Sequence, residues 1–483
     1  MSQPPIVPYQ TSADTNWFTH DRFGLFIHWG LYAMGARHEW LKTLECIPDD
    51  EYDRQYFERF DPDLYDPDLW AQAAAGAGMK YFVVTAKHHE GFCLWDSKHT
   101  DYKAPNTPAG RDLLRPMVQA FGNHGLRAGF YYSLLDWHHP DYIVDYWCHP
   151  RRNALPDPPE TIRKRPFPGP PDGSEYDGTD INAGRDMSRY AAYMREQVRE
   201  LLTEFGDVSS LWFDFSFLQS IDEFPRDDFR YHKGREAWES EKLLKLIREL
   251  QPGVMLTDRL DLELPLSGGD FMTPEQAQPR EWVHKDIDGV RTPVIWEACQ
   301  TFSGSWGYHR DELTWRSSRQ LISTLIDCVS KGGNLLLNVG PTGRGELDPR
   351  ALTRLADIGR WMHHHDRAIY GCTQAPPEFI VPEHCKLTYN PDKRRLYLHM
   401  FDWPYGVLHL DGPAYQQQVE YAQFLHDGSE LQTKLSEMQT QHLDLSSETM
   451  SLRLPAMEPT GIEIPVIELH LKRGSRRAHG KSS

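Results

Sequence analysis

No stretch of 18 apolar residues occurs in the 483-residue chain, which leaves no candidate for a membrane-spanning helix. The opening MSQPPIVPYQTSADTNW lacks the basic and apolar regions of a signal peptide, so the location expected from it is cytoplasmic. Cysteine is sparse. Cys46, Cys93, Cys148, Cys299, Cys328, Cys372 and Cys385 form an odd, scattered set with no CxxC pair. Such usage argues against a disulfide framework or a zinc site and for reduced thiols. Basic residues are in deficit, 52 Lys+Arg against 70 Asp+Glu, and a formal charge of −18 opposes nucleic acid and anionic membrane surfaces as partners. No glycine-rich turn follows the first apolar run, which disfavours a doubly wound nucleotide-binding sheet. No repeat of fixed period is present.

What remains is an ordinary globular composition, 39% hydrophobic and 25% charged, with a heavy load of 15 Trp, a residue whose flat amphipathic face suits sugars. Short apolar runs at 23–30, 81–88, 127–133, 210–217, 254–260, 293–299 and 334–340 alternate with helical patterns. Helices are expected at 65–78, 111–124, 188–206, 240–250, 316–331 and 349–365. In the third of these, Tyr190, Tyr193, Val198, Leu201, Leu202 and Phe205 form an apolar stripe and Gly206 caps the end. Strands alternating with helices over about 340 residues predict a (β/α)8-like TIM barrel over residues 1–369. The proline-rich stretch within 138–187 predicts a long loop over the end of the third strand. From 370 to 472 the short runs and the NPDK turn predict a small antiparallel β-sandwich that braces the barrel. Residues 473–483 read as a basic disordered tail.

Most apolar runs end in a residue of chemical use: His28, His88 and His89, Tyr131, Asp214, Arg259, Glu297 and Asn338. In a parallel barrel the C-terminal strand ends share one face, where active sites assemble. Strand alternation in SLWFDFSF turns Trp212 and Asp214 toward the barrel mouth, with Leu211, Phe213 and Phe215 under the helices. A carboxylate among aromatics is costly there unless it is bonded, paired or used in chemistry. Glycoside hydrolysis with retention needs a second carboxyl about 5 Å away, and Glu275 and Glu297 are both candidates. Adjacent histidines on a strand face opposite ways, so His88 and His89 read as neutral partners for sugar hydroxyls and no metal site is expected. The histidines of WMHHHD (361–366) read as exposed helix residues.

Eight ordered blocks resemble glycoside hydrolase family 29, the α-L-fucosidases: WFTHDRFGLFIHWGLYAMGARHEWL, AKHHEGFCLWDSKHTDY, GLRAGFYYSLLDWHHPDY, LWFDF, TDRL, TPEQ, WEACQTFSGSWGYHRDE and CVSKGGNLLLNVGPTGRGELD. The resemblance implies an exo-acting enzyme that removes terminal fucose from a fucosylated glycoside by retaining double displacement, with no metal or organic cofactor. It implies Asp214 as nucleophile and Glu275 as acid/base, with Glu297 the second candidate. It implies that His28, Glu39, Trp40, His88, His89, Tyr131 and Arg259 hold the sugar hydroxyls, and that Phe26, Trp212 and Trp306 take the fucose methyl. Phe215 stands where many relatives carry glycine, and the loops after the third and fourth strands are long. A related glycosidase acting on another sugar, or an inactive fucose-binding relative, are the alternative readings.

Overall fold

The computed structural model describes residues 6–157, 160, 175–216, 225–433 and 448–472. The basic tail and part of the 138–187 loop, both named above, lie outside the described residues.

The first apolar runs form β1 (Phe23–Ile27), β2 (Tyr81–Lys87), β3 (Arg127–Ser133), β4 (Ser210–Asp214) and β5 (Met255–Leu256). A short antiparallel hairpin, β6 (His284–Ile287) and β7 (Val290–Pro293), precedes β8 (Glu297–Thr301) and β9 (Asn334–Val339). Seven of these strands make one parallel sheet in the order β5-β4-β3-β2-β1-β9-β8. Parallel bridges from Thr257 to Phe271, Met272 to Trp296 and Glu275 to Cys299 join its two edges through residues 271–275. The sheet is thereby curled into a TIM-like ring, as the alternation predicts.

The runs are continuous rather than alternating because helices cover the outer face and side chains fill the inner one. β1, β2 and β9 are buried at every residue. Helices at Pro67–Gly76, Leu114–Asn123, Met187–Glu204, Ser240–Leu250, Ser318–Ser330 and Pro349–His365 form the outer layer. Their starts follow from local chemistry. Asp186 and Asp348 accept from the backbone N–H of Ser188 and Arg350, and Ser317 with Gln320 closes a reciprocal capping box.

Three strands differ from expectation: β5 covers only Met255–Leu256 of the run 254–260, which leaves Arg259 beyond the strand, and β4 and β8 differ with consequences for the site. β4 ends at Asp214, and Phe215 adopts a left-handed φ of 70°, so its ring leaves the outward row expected of it. The sixth apolar run, 293–299, is shifted as well: Pro293 belongs to the hairpin, and β8 begins only at Glu297. Glu297 pairs with Asn334, the first residue of β9, and therefore sits at the start of its strand, away from the face that carries Asp214. The segment is buried on both sides from Val294 onward, so apolar character alone does not mark where its ladder begins.

The chain ends in antiparallel structure. β10 (Thr373–Gln374), β11 (Cys385–Asn390), β12 (Arg395–Met400), β16 (Val466–Leu471) and β14 (Val419–Phe424) make one sheet, in that order. β13 (Val407–Leu410) and β15 (Met450–Arg453) pair separately, and Leu408, Leu410 and Leu452 share a core with Leu396, Leu398 and Leu469. A second seam ties this unit to the barrel: Trp361 donates to the Ile464 carbonyl at 3.3 Å, and Arg367 bonds Glu468 through both carboxylate oxygens at 2.6 and 2.8 Å. His363 and His364 are exposed as expected, but His365 is fully buried in that seam.

Candidate active site

A cavity of about 790 Å³ opens at the C-terminal ends of the barrel strands, a usual size for a small-ligand site. Phe26, His28, Glu39, Trp40, His88, His89, Tyr131, Trp212, Arg259 and Trp306 all line it, together with Asp214 and Glu275. Register explains the convergence. Tyr131 lies beside Trp212 and Ser133 beside Asp214, so β3 and β4 present neighbouring groups at the same height. His28 follows β1 directly and meets Asn338 of β9, while His88 and His89 follow β2.

Asp214 is held at both oxygens. Tyr131 Oη donates to Oδ2 at 2.8 Å and Arg259 Nη1 to Oδ1 at 2.6 Å. The same guanidinium reaches Glu275 Oε2 through Nη2 at 3.2 Å, so one cation bridges the two carboxyls. Arg259 is itself fixed by donation from Nε to Thr273 Oγ1 at 3.1 Å and by its place 4.6 Å over the Trp212 ring. The Asp214 side chain is 13% exposed and that of Glu275 45%, which puts one carboxyl on the floor and the other at the rim. Partial burial and the nearby Asp214 charge raise the Glu275 pKa, against the pull of Arg259.

The histidines are neutral hydrogen-bonding groups. Burial drives the pKa of His28 down to about 4 and that of His89 to about 3, and pushes His88 well below the ordinary imidazole range. Asn338 donates its amide N–H to the Trp306 carbonyl at 2.7 Å, and its Oδ1 accepts from His28 Nδ1 at 2.6 Å. His28 therefore carries its proton on Nδ1 and leaves Nε2 as an acceptor. The same logic holds for His89. Ser133 Oγ donates to the Leu135 carbonyl and so accepts from His89 Nδ1 at 2.7 Å. His88 Nδ1 is buried with no hydrogen-bond partner among the described residues, an expensive state for a polar atom. Glu39 accepts from Gly307 N at 2.9 Å, tying the loop that carries Trp306 to the one that carries Trp40.

Glu297 is the exception among the expected residues. It does not line the cavity, is 1% exposed, and accepts from Tyr81 Oη at 2.5 Å inside the barrel. Burial raises its pKa to about 8. A carboxyl sealed at the opposite end of the strands has no path to a glycosidic oxygen, which corrects its candidacy as acid/base. Sequence reading also passed over Ser133, which orients His89, and Thr273, which anchors Arg259; a hydroxyl at a strand end carries no signal of its own. Phe215, expected under the helices, instead lines the cavity against Trp40 and His89. Among the described residues, no three His, Cys, Asp or Glu side chains gather in a way that could hold a metal ion.

The Alpha-L-fucosidase family model matches residues 2–367. The chain is 28% identical to the tissue alpha-L-fucosidase of Bos taurus over 85% of its own length and 81% of that protein. Among solved structures it resembles alpha-L-fucosidase isoenzyme 1 from Paenibacillus thiaminolyticus, with 39% identity, a TM-score of 0.80 and coverage of 95% of this chain and 99% of that one. A GH29 alpha-L-fucosidase from Bacteroides thetaiotaomicron, trapped as a covalent intermediate with 2-fluoro-fucosyl fluoride in a glutamate-to-glutamine mutant, is 26% identical with a TM-score of 0.75 over 97% of this chain and 98% of that one. With a TIM-like barrel, a carboxyl pair at its mouth and a match spanning most of its length, the chain belongs to the alpha-L-fucosidase family of glycoside hydrolases.

Proposed function

We propose that the protein is an exo-acting, retaining α-L-fucosidase that hydrolyses terminal α-L-fucosyl linkages by double displacement. The observation that carries this reading is the pair of carboxyls bridged by Arg259, one on the floor of the cavity and one at its rim with a raised pKa. The retaining reaction needs one carboxyl as nucleophile and a second as acid/base, and the two that share Arg259 supply that pair within one cavity.

In the first step an Asp214 carboxylate oxygen bonds to the anomeric carbon while Glu275 gives its proton to the departing glycosidic oxygen. In the second step Glu275 takes a proton from water, whose oxygen displaces Asp214 from that carbon. Tyr131 and Arg259 hold the plane of the nucleophile, which removes a rotational cost before attack. Neutral imidazoles with free acceptor nitrogens, the buried Glu39 and the Arg259 guanidinium suit a ring of hydroxyls. The apolar set Phe26, Trp212 and Trp306 suits the methyl of a 6-deoxy sugar, a discrimination of about 1–3 kcal/mol against a sugar lacking that methyl.

The test is Asp214→Gly. We expect it to lose nearly all turnover of an aryl α-L-fucoside and to regain part of it with azide, which fits the vacated space. Full activity without azide would overturn the assignment of the nucleophile. Aryl β-galactoside run in parallel separates this reading from a glycosidase of altered sugar preference.

A further inference from the structure

Resting on the fucosidase reading above, we infer that Phe215 is a specificity-determining residue for the leaving group: with Trp40 and Leu44 it forms an apolar wall that takes the flat, apolar face of the sugar or aryl group attached to the fucose.

The backbone gives the first reason. Phe215 follows Asp214 directly and has a φ of 70°, a conformation that a bulky aromatic residue rarely adopts. Extended geometry would have sent the ring outward under the helices, in line with Leu211 and Phe213, both of which are fully buried. The left-handed turn brings it into the cavity, where it meets the Trp40 ring at 5.3 Å and the edge of His89 at 5.2 Å and 85°. An observed backbone outlier beside a nucleophile is a reason to ask what its side chain does there.

Depth gives the second reason. Phe26, Tyr131 and Trp212 are at most 2% exposed and form the floor, whereas Phe215 is half-buried and Leu44 is 49% exposed at the mouth. An exo-acting enzyme seats its terminal sugar on the floor, so the rim faces what leaves. Among the other partly exposed lining residues Trp306 is aromatic, and His38, Ser216, Asp258, Glu275 and Gln276 are polar. A pyranose with one apolar face and a polar edge matches such a mouth, as does an aryl ring, and offset contact with aromatic rings is favourable for both.

The experiment compares three substrates in wild type, Phe215→Gly and Phe215→Tyr. α-L-Fucosyl fluoride has no group to place on the wall. An aryl α-L-fucoside and the best substrate from a panel of fucosyl-hexose disaccharides do. Glycine suits the left-handed backbone, so Phe215→Gly keeps the local conformation accessible, and its thermal unfolding midpoint checks the fold. We expect kcat/KM for the disaccharide and the aryl fucoside to fall by about tenfold more than for the fluoride, mainly through KM, and Phe215→Tyr to restore most of it. Equal losses on all three substrates would make Phe215 a structural support of Asp214, and no loss on any would make it a bystander; either result overturns the proposal. Failure of wild type to hydrolyse the fluoride at all would instead overturn the fucosidase reading on which it rests.

Discussion

At the residue scale the site works by giving each titratable group a different surrounding. His28, His88 and His89 are buried and uncharged, so they add no positive charge beside Arg259 and remain free to accept from hydroxyls. Glu275 is placed where burial and the Asp214 charge favour its protonated form. A general acid is active below its pKa, so a raised pKa moves the alkaline limb of the rate profile upward. We expect kcat/KM for a fucoside with a poor leaving group to fall on the alkaline side through a group titrating above the ordinary glutamate range. Glu275→Gln should remove that limb and spare an activated aryl fucoside in the first step. An alkaline limb that persists in Glu275→Gln would remove the acid/base assignment. The residues of this pair were legible in the sequence at very different levels. Asp214 was visible because strand alternation turns it toward the mouth. Choosing Glu275 over Glu297 required the tertiary structure, since both are carboxyls near apolar runs and only register separates the rim from the sealed end.

At the scale of elements, close packing of backbone decides how the loops above β1 and β9 meet. Gly340 follows β9, and a Cβ there would collide with the backbone of Gly307 and Tyr308 and lie 2.9 Å from the Trp306 carbonyl oxygen. Gly307 N is the donor to Glu39, and Trp306 O accepts from Asn338, so this contact sets the expected sugar-binding groups Glu39 and Trp306 and, through Asn338, His28. We expect Gly340→Ala to push the 304–308 loop outward, raising KM several-fold with a smaller change in kcat, because the groups displaced bind rather than react. A KM within error of wild type would show that the loop absorbs the methyl without moving Trp306. The helices were read from sequence to within two or three residues at most ends, because their caps and apolar stripes are local. Strand ends were read less well. β4 stops earlier than its apolar run, and β8 starts later, because neighbours across the sheet decide where a ladder begins and ends.

At the scale of the whole molecule, the barrel and the terminal sheets share a seam built on buried imidazoles. His365 and His399 are buried, and burial lowers the pKa of each to about 3 from an ordinary value near 6.5. An unfolded chain binds these protons near 6.5 and the folded one does not. Stability from these groups is therefore fully present above pH 6.5 and is lost as the pH falls toward 3. We expect the thermal unfolding midpoint to drop by several degrees between pH 7 and pH 4.5, and His365→Phe to flatten part of that slope. A midpoint unchanged over this range would show that the seam tolerates charged imidazoles. Nothing in the local pattern WMHHHD distinguishes the buried His365 from its exposed neighbours. The distinction comes from the packing of Trp361, Ile464 and Val466 across the junction.

The sequence by itself determined the alternation of strand and helix, the change to antiparallel structure near the end, and twelve of the twenty residues that line the cavity. Most of this rests on local properties, namely periodicity, capping and the habit of barrels to gather their strand ends on one face, whereas Phe26, Glu39, Trp40 and Trp306 came through the family resemblance alone. The tertiary structure decided which glutamate stands at the rim, which way Phe215 turns, and which tautomers His28 and His89 hold. Each of these depends on what lies across a ladder or a loop contact tens to hundreds of residues away, and no run of neighbouring letters contains that partner.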